Sequence, residues 1–131
     1  MLETLFRIGG TNTSAPATSV VLANLTLRHT KPTYMRKYAV PSGGDYAVYQ
    51  SGAVLFNGTV NCSLQGSLLD AVGGNGVWLA AYNRGARIHG NEIRFPGENG
   101  IGLTGSTVWV DGTSPFFLRL EVLSGCRFSL V

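Results

Sequence analysis

Three segments spaced 24 residues apart read Ser51-Gly52-Ala53-Val54-Leu55, Asn75-Gly76-Val77-Trp78-Leu79 and Asn99-Gly100-Ile101-Gly102-Leu103. No gap is needed to align them. The register also holds between the markers: Leu64 falls on Ile88, Gly66 on Gly90, Leu69 on Ile93 and Gly73 on Gly97. Residues 51–79 set against 75–103 share 7 of 29 positions, and most other apolar positions match conservatively, so the two stretches are copies of one unit. A fixed period of this size marks a repeat fold, in which each unit buries its apolar side against its neighbours. Each unit here is a set of short β-type runs broken by Gly and Asn, with no amphipathic helix between them. The repeat predicts an all-β, parallel β-solenoid of about four coils.

Alternation along the strands assigns Ala53, Leu55, Val77, Leu79, Ile101 and Leu103 to the inward face. Coils stacked about 4.8 Å apart then place Ala53 over Val77 over Ile101, and Leu55 over Leu79 over Leu103. Leu64 over Ile88 and Leu69 over Ile93 form further inward ladders. Val54, Trp78 and Gly102 face outward in this scheme, which makes Trp78 an exposed aromatic. Ser51, Asn75 and Asn99 recur at the turn before the strand. Asparagine accepts a left-handed backbone and bonds to its neighbours, so stacked copies form an amide ladder. Recurrence in every coil is what a structural residue shows; a catalytic one has no reason to repeat.

With 131 residues the chain has room for one domain with a modest core. Its 18 glycines and 13% charged residues suit a turn-rich β protein with an apolar interior. No apolar run approaches the roughly 20 residues of a membrane span. The opening Met1-Leu2-Glu3-Thr4-Leu5-Phe6-Arg7 lacks a basic leader followed by an apolar stretch, so no signal peptide is expected in this chain. Cys62 and Cys126 have neither metal-ligand nor Cys-x-x-Cys spacing and read as free thiols. Four of the eight asparagines, Asn12, Asn24, Asn57 and Asn61, begin Asn-x-Ser/Thr sequons, which leans toward a secretory origin.

The chain reads as one partial domain over 1–131. Val20 to Leu27 belong to an earlier coil. From 28 to 50 the repeat is interrupted by Pro32 and by Pro41-Ser42-Gly43-Gly44-Asp45, the turn chemistry of an inserted loop. Regular coils occupy 51–105, and 114–131 is an atypical tail, either a cap or a truncated coil. The insertion also gathers charge. Arg28, His29, Lys31, Arg36 and Lys37 fall within ten residues that contain no acid, with Tyr34 and Tyr38 interleaved. Insertions in repeat folds collect on one face, often the binding face.

Several segments together resemble the pectin-lyase-like superfamily, and within it large proteins carrying a "right-handed β-helix region". The stretches are Asn24-Leu25-Thr26-Leu27-Arg28-His29-Thr30, Val40-Pro41-Ser42-Gly43-Gly44-Asp45-Tyr46, Gly52-Ala53-Val54-Leu55, Leu69-Asp70-Ala71-Val72-Gly73-Gly74-Asn75-Gly76-Val77, Tyr82-Asn83-Arg84 and Val108-Trp109-Val110-Asp111-Gly112-Thr113. The resemblance spans about residues 20–113. It implies a right-handed parallel β-helix and a carbohydrate-related or surface role. Such chains run through many more coils, so it also implies that this one is a fragment or truncated copy of an extracellular or cell-surface protein.

A polysaccharide lyase on such a fold needs clustered carboxylates for Ca²⁺ and a base for the proton beside the uronate carboxyl. A glycosidase needs two or three converging carboxylates. The acids are Glu3, Asp45, Asp70, Glu92, Glu98, Asp111 and Glu121, and no two share a lane 24 residues apart. Asp70 stacks on Arg94, and Asp70 with Glu92 or Glu98 is the one conceivable catalytic group. His29 and His89 have no adjacent Ser or Cys nucleophile in the repeat register, His89 falling on Gln65. Binding asks less: aromatics stack on sugar faces, while Arg and Lys pair with carboxylates or sulfates. Arg28, Lys31, Tyr34, Arg36, Lys37 and Tyr38 of the insertion, with Trp78, Tyr82 and Arg84, supply both. The reading is a non-catalytic β-helix module that binds an anionic polysaccharide, with a lyase or glycosidase as the alternative. No metal site and no cofactor are expected, Ca²⁺ entering only with the lyase. Two open apolar ends also predict end-to-end self-association. A net charge of +3 is too small for phosphate-dominated nucleic-acid binding.

Overall fold

A bend recurs where each short strand meets the next. Non-glycine residues with left-handed backbone, Ser19, Asn24, His29, Asn61, Ala71 and Phe95, alternate with Gly66, Gly85, Gly90 and Gly125 at equivalent places along the chain. One left-handed residue turns the chain sharply without a loop, which is why these sites hold Gly, Asn or Ser so often. In the computed structural model the described residues are 1–11, 14–36, 49–104 and 119–129.

Among the described residues, twelve strands and no helix lie between the bends. A first tier holds β1 (Phe6–Gly9), β2 (Ala17–Thr18), β3 (Val21–Ala23) and β4 (Thr26–Arg28). A second holds β5 (Val54–Val60), β6 (Ser63–Gln65) and β7 (Leu68–Asp70). The third is β8 (Val77–His89) with β9 (Glu92–Arg94), and the fourth is β10 (Ile101–Thr104), β11 (Arg119–Ser124) and β12 (Arg127–Ser129). Every pairing is between tiers and parallel. The strands form two sheets, an eight-stranded one and a four-stranded one in the order β12-β9-β7-β4. The chain is therefore all-β with parallel strands in curled sheets. No helix among the described residues is long and apolar enough to cross a membrane.

The core consists of ladders running from tier to tier. Leu22 pairs with Leu64 and Leu64 with Ile88; Leu27 pairs with Leu69, Leu69 with Ile93 and Ile93 with Phe128. Leu64, Leu69, Ile88 and Ile93 are fully buried, each contributing about 2 kcal/mol of burial free energy. Both 24-residue ladders expected on this side of the repeat are present.

On the other side the register departs from expectation. Val54 opposes Val77 and Phe56 opposes Leu79, one residue short of the period, and the offset returns to 24 at Thr59 and Asn83. The third tier spends an extra residue there, at left-handed Ala81. A one-residue slip sends each side chain to the opposite face. Phe56 is thus inward with Ile8 and Leu79, while Leu55 pairs with Trp78 on the outer face. The predicted Leu55–Leu79–Leu103 stack does not form, and Ala53 does not lie over Val77. Leu79 over Leu103 and Val77 over Ile101 do pair.

From Arg119 to Ser129 the tail takes up the same columns. β11 pairs with the end of β8, and β12 pairs with β9, at an offset of 35 residues. The extra chain lies between β10 and β11, just as the first interruption lies between β4 and β5; that interruption begins after Arg28, which belongs to β4.

Buried asparagines tie the tiers together. Asn75, Asn83, Asn91 and Asn99 are spaced eight residues apart, and the first three are almost completely buried. Asn99 Nδ2 donates to Asn75 Oδ1 (2.9 Å) and Asn75 Nδ2 to the Ser51 carbonyl (2.8 Å), the expected amide ladder. Asn83 Nδ2 donates to the Ala80 and Phe56 carbonyls, and its Oδ1 accepts from Thr59 Oγ1 (2.6 Å). Asn91 Nδ2 donates to the Leu64 carbonyl while its Oδ1 accepts the Ser67 N–H.

Candidate functional site

Because Leu22, Leu64 and Ile88 point inward, their neighbours along β3, β6 and the end of β8 point outward. Ser63 and Gln65 stand beside Arg87 and His89 in register. Together with Val21 and the turn residues Asn61 and Gly85 they line an open groove of about 460 Å³. Val21 and Arg87 are exposed, while Gln65 and His89 are half-buried. The lining is a hydroxyl, two amides, an imidazole and a guanidinium on a parallel sheet. Such a set can hydrogen-bond sugar hydroxyls and pair with a carboxylate or sulfate. His89 lies opposite Gln65, as the repeat register implies. Ser63 is paired with Arg87, not with His89.

The carboxylates proposed for catalysis are engaged elsewhere. Asp70 and Arg94 are register partners, as expected, but their ion pairs go to other residues. Arg28 Nη2 lies 2.8 Å from Asp70 Oδ2, and Arg94 Nε donates to Glu92 Oε1 at 2.8 Å. The Arg94 hydrogen bond holds the Glu92 carboxyl below the usual carboxylate range. Glu98 accepts from Thr33 Oγ1 (2.7 Å). Among the described residues no three His, Cys, Asp or Glu side chains group closely enough to hold a metal ion.

The basic insertion is partly spent on internal contacts. Arg28 pairs with Asp70. Arg36 pairs with Glu3, donating from Nε (2.7 Å) and Nη2, and Tyr49 Oη donates to the same carboxylate (3.1 Å). The guanidinium bond lowers the Glu3 pKa, while burial first and the Glu3 bond second raise that of Tyr49. Lys31 and Tyr34 are exposed. Lys37, Tyr38, Asp45, Tyr46, Trp109 and Asp111 lie outside the described residues.

Trp78 is not an exposed stacking surface: only 2% of it is accessible. Its ring occupies the space that a side chain at Gly102 would need, and its Nε1 donates to Thr104 Oγ1 (3.1 Å). With Leu55 and Ala80 it forms a small second core on the outer face of the sheet. An outward-pointing residue can still be buried when its neighbour in the next tier is glycine. Tyr82 is half-buried and Arg84 exposed on β8, three residues before Arg87. Ser63 and Gln65 were missed as site residues. Their signal was alternation about Leu64, read together with Arg87 and His89 about Ile88.

No family model matches the sequence, and no curated protein and no solved structure matches it.

Proposed function

We propose that the four tiers are coils of a right-handed parallel β-helix of the pectin-lyase-like type, and that the chain is a non-catalytic carbohydrate-binding module of a surface or secreted protein. The parallel pairing of every tier with the next supports the coil reading, since connections between parallel strands are almost always right-handed. The observation that carries the binding reading is the polar groove over Ser63, Gln65, Arg87 and His89. Its ligand is a glycan rich in hydroxyls and carrying a carboxylate or sulfate. The groove gathers polar side chains from consecutive tiers on one face, which favours it over the insertion as the binding surface. The non-catalytic part is supported by the carboxylates: Asp70, Glu92 and Glu98 are each engaged by a different partner, Arg28, Arg94 and Thr33.

The test is a glycan array read with the wild type, Arg87→Ala/His89→Ala and Lys31→Ala/Tyr34→Ala. The groove variant should lose about tenfold or more, the worth of one charge-assisted bond. Wild-type binding should weaken with salt, because exposed pairs are screened beyond about 10 Å at 0.1 M. Binding unchanged in the groove variant but lost in the other moves the site to the insertion. Release of unsaturated or hydrolysed oligosaccharide would replace the module reading with an enzyme.

A further inference from the structure

Of the three sequons on described residues, two sit at the left-handed bends and one does not. Asn24 (φ 56°) closes the bend between β3 and β4, and Asn61 (φ 54°) the bend between β5 and β6; both are exposed. Each turns its amide oxygen toward the next tier. A β-carbon at Gly66 would lie 2.9 Å from Asn24 Oδ1, with Cγ at 4.0 Å, and one at Gly85 would likewise meet Asn61 Oδ1 first. The oxygen therefore rests over a glycine of the following tier, and Nδ2 is the end directed away. Nδ2 is the atom that an N-linked sugar occupies. Asn57 differs: it is half-buried inside β5, between Gly9 of β1 and Ala80 of β8.

We propose that Asn24 and Asn61 are N-glycosylation sites and that Asn57 is not, an inference that rests on reading the chain as part of a secreted or surface protein. In the transfer, Asn Nδ2 forms a bond to the anomeric carbon of a lipid-pyrophosphate-linked oligosaccharide. The bond from that carbon to the pyrophosphate oxygen breaks, the lipid pyrophosphate leaves as an anion, and Nδ2 gives up one proton to the transferase. The transfer precedes folding, so the fold acts as the filter. Sugars at the two bends project from the surface, whereas one at Asn57 would have to lie beside the packed Leu55–Trp78–Ala80 cluster. Asn61 also borders the polar groove, so its sugar sits at the edge of the proposed binding face.

The full chain is secreted from a eukaryotic host behind a supplied leader, and the medium protein is mapped after enzymatic glycan release in heavy-oxygen water. Labelled aspartate is expected at positions 24 and 61 and not at 57. Thr26→Ala and Ser63→Ala, which keep both asparagines, should each remove one glycan step on a gel. A secreted, folded chain bare at both 24 and 61, or occupied at 57, overturns the proposal. Because the leader is supplied, that failure leaves the secretion reading intact; finding the natural product inside the cell is what would remove the latter.

Discussion

Replacing Asn83 by Ala removes three hydrogen bonds at a site with no solvent access. The Thr59 hydroxyl loses its acceptor, and the Ala80 and Phe56 carbonyls lose their side-chain donor. A buried polar group left unpaired costs about 1–3 kcal/mol. The two carbonyls belong near the bottom of that range, since each has a second lone pair for the strand ladder. Thr59 is wholly buried and has no water to turn to. About 1 kcal/mol for each of the three groups gives a loss of about 3 kcal/mol in total. At an m-value of about 1.5 kcal/mol/M this moves the urea midpoint down by about 2 M, followed by far-UV circular dichroism. Arg28→Ala breaks an ion pair whose arginine end is exposed and serves as the control, with an expected loss of about 1 kcal/mol. Thr59→Val in the Asn83→Ala background should cost almost nothing more, because both partners are then gone. An Asn83→Ala loss no larger than that of Arg28→Ala would refute the claim that buried amides join the tiers.

Gly102→Leu drives a side chain into the Trp78 ring; a loss of about 1–3 kcal/mol in urea unfolding is expected, and Trp78→Ala in the same chain should relieve part of it. Glu3 and Glu92 have lowered pKa values, so their stabilisation is present above the usual carboxylate range and is lost as pH falls through their folded values. Acid unfolding scans of Glu3→Gln and Glu92→Gln should therefore be flatter than wild type below about pH 4. Tyr49 has the opposite sign: its pKa is raised, so its contribution fades as pH climbs above the ordinary phenol range, and Tyr49→Phe should remove that alkaline slope.

How far the fold could be read from sequence follows from where the information sits. Gly66 and Gly90 hold left-handed bends and Asn75 and Asn99 an amide ladder, so none can be exchanged freely, and together they fix the period and with it the Leu64–Ile88 and Leu69–Ile93 ladders. The count from bend to bend is blind to one compensated slip. Ala81 restores the residue by which the preceding strand falls short, so the 24-residue spacing survives while Leu55 and Phe56 exchange faces. Alanine in left-handed backbone leaves no mark on a sequence. The tail was obscure for a related reason: 35 residues separate Phe128 from Ile93, and a period lost to inserted chain cannot be followed by counting.

The site obeyed different physics. Whether an outward residue is exposed depends on its neighbours in the tiers above and below, which no single strand records. Trp78 points outward yet is buried, because Gly102 leaves it room and Thr104 receives its N–H. Arg28 and Arg36 look like an unopposed basic cluster along the chain, since their acids, Asp70 and Glu3, are 42 and 33 residues away and arrive only through folding. Ser63 and Gln65 draw no notice until Arg87 and His89 stand beside them. Local order in the chain sets the bends and ladders, while the groove is a product of tiers in contact. A binding face on such a fold should be sought where outward polar residues from consecutive tiers meet, not where charge is densest along the sequence.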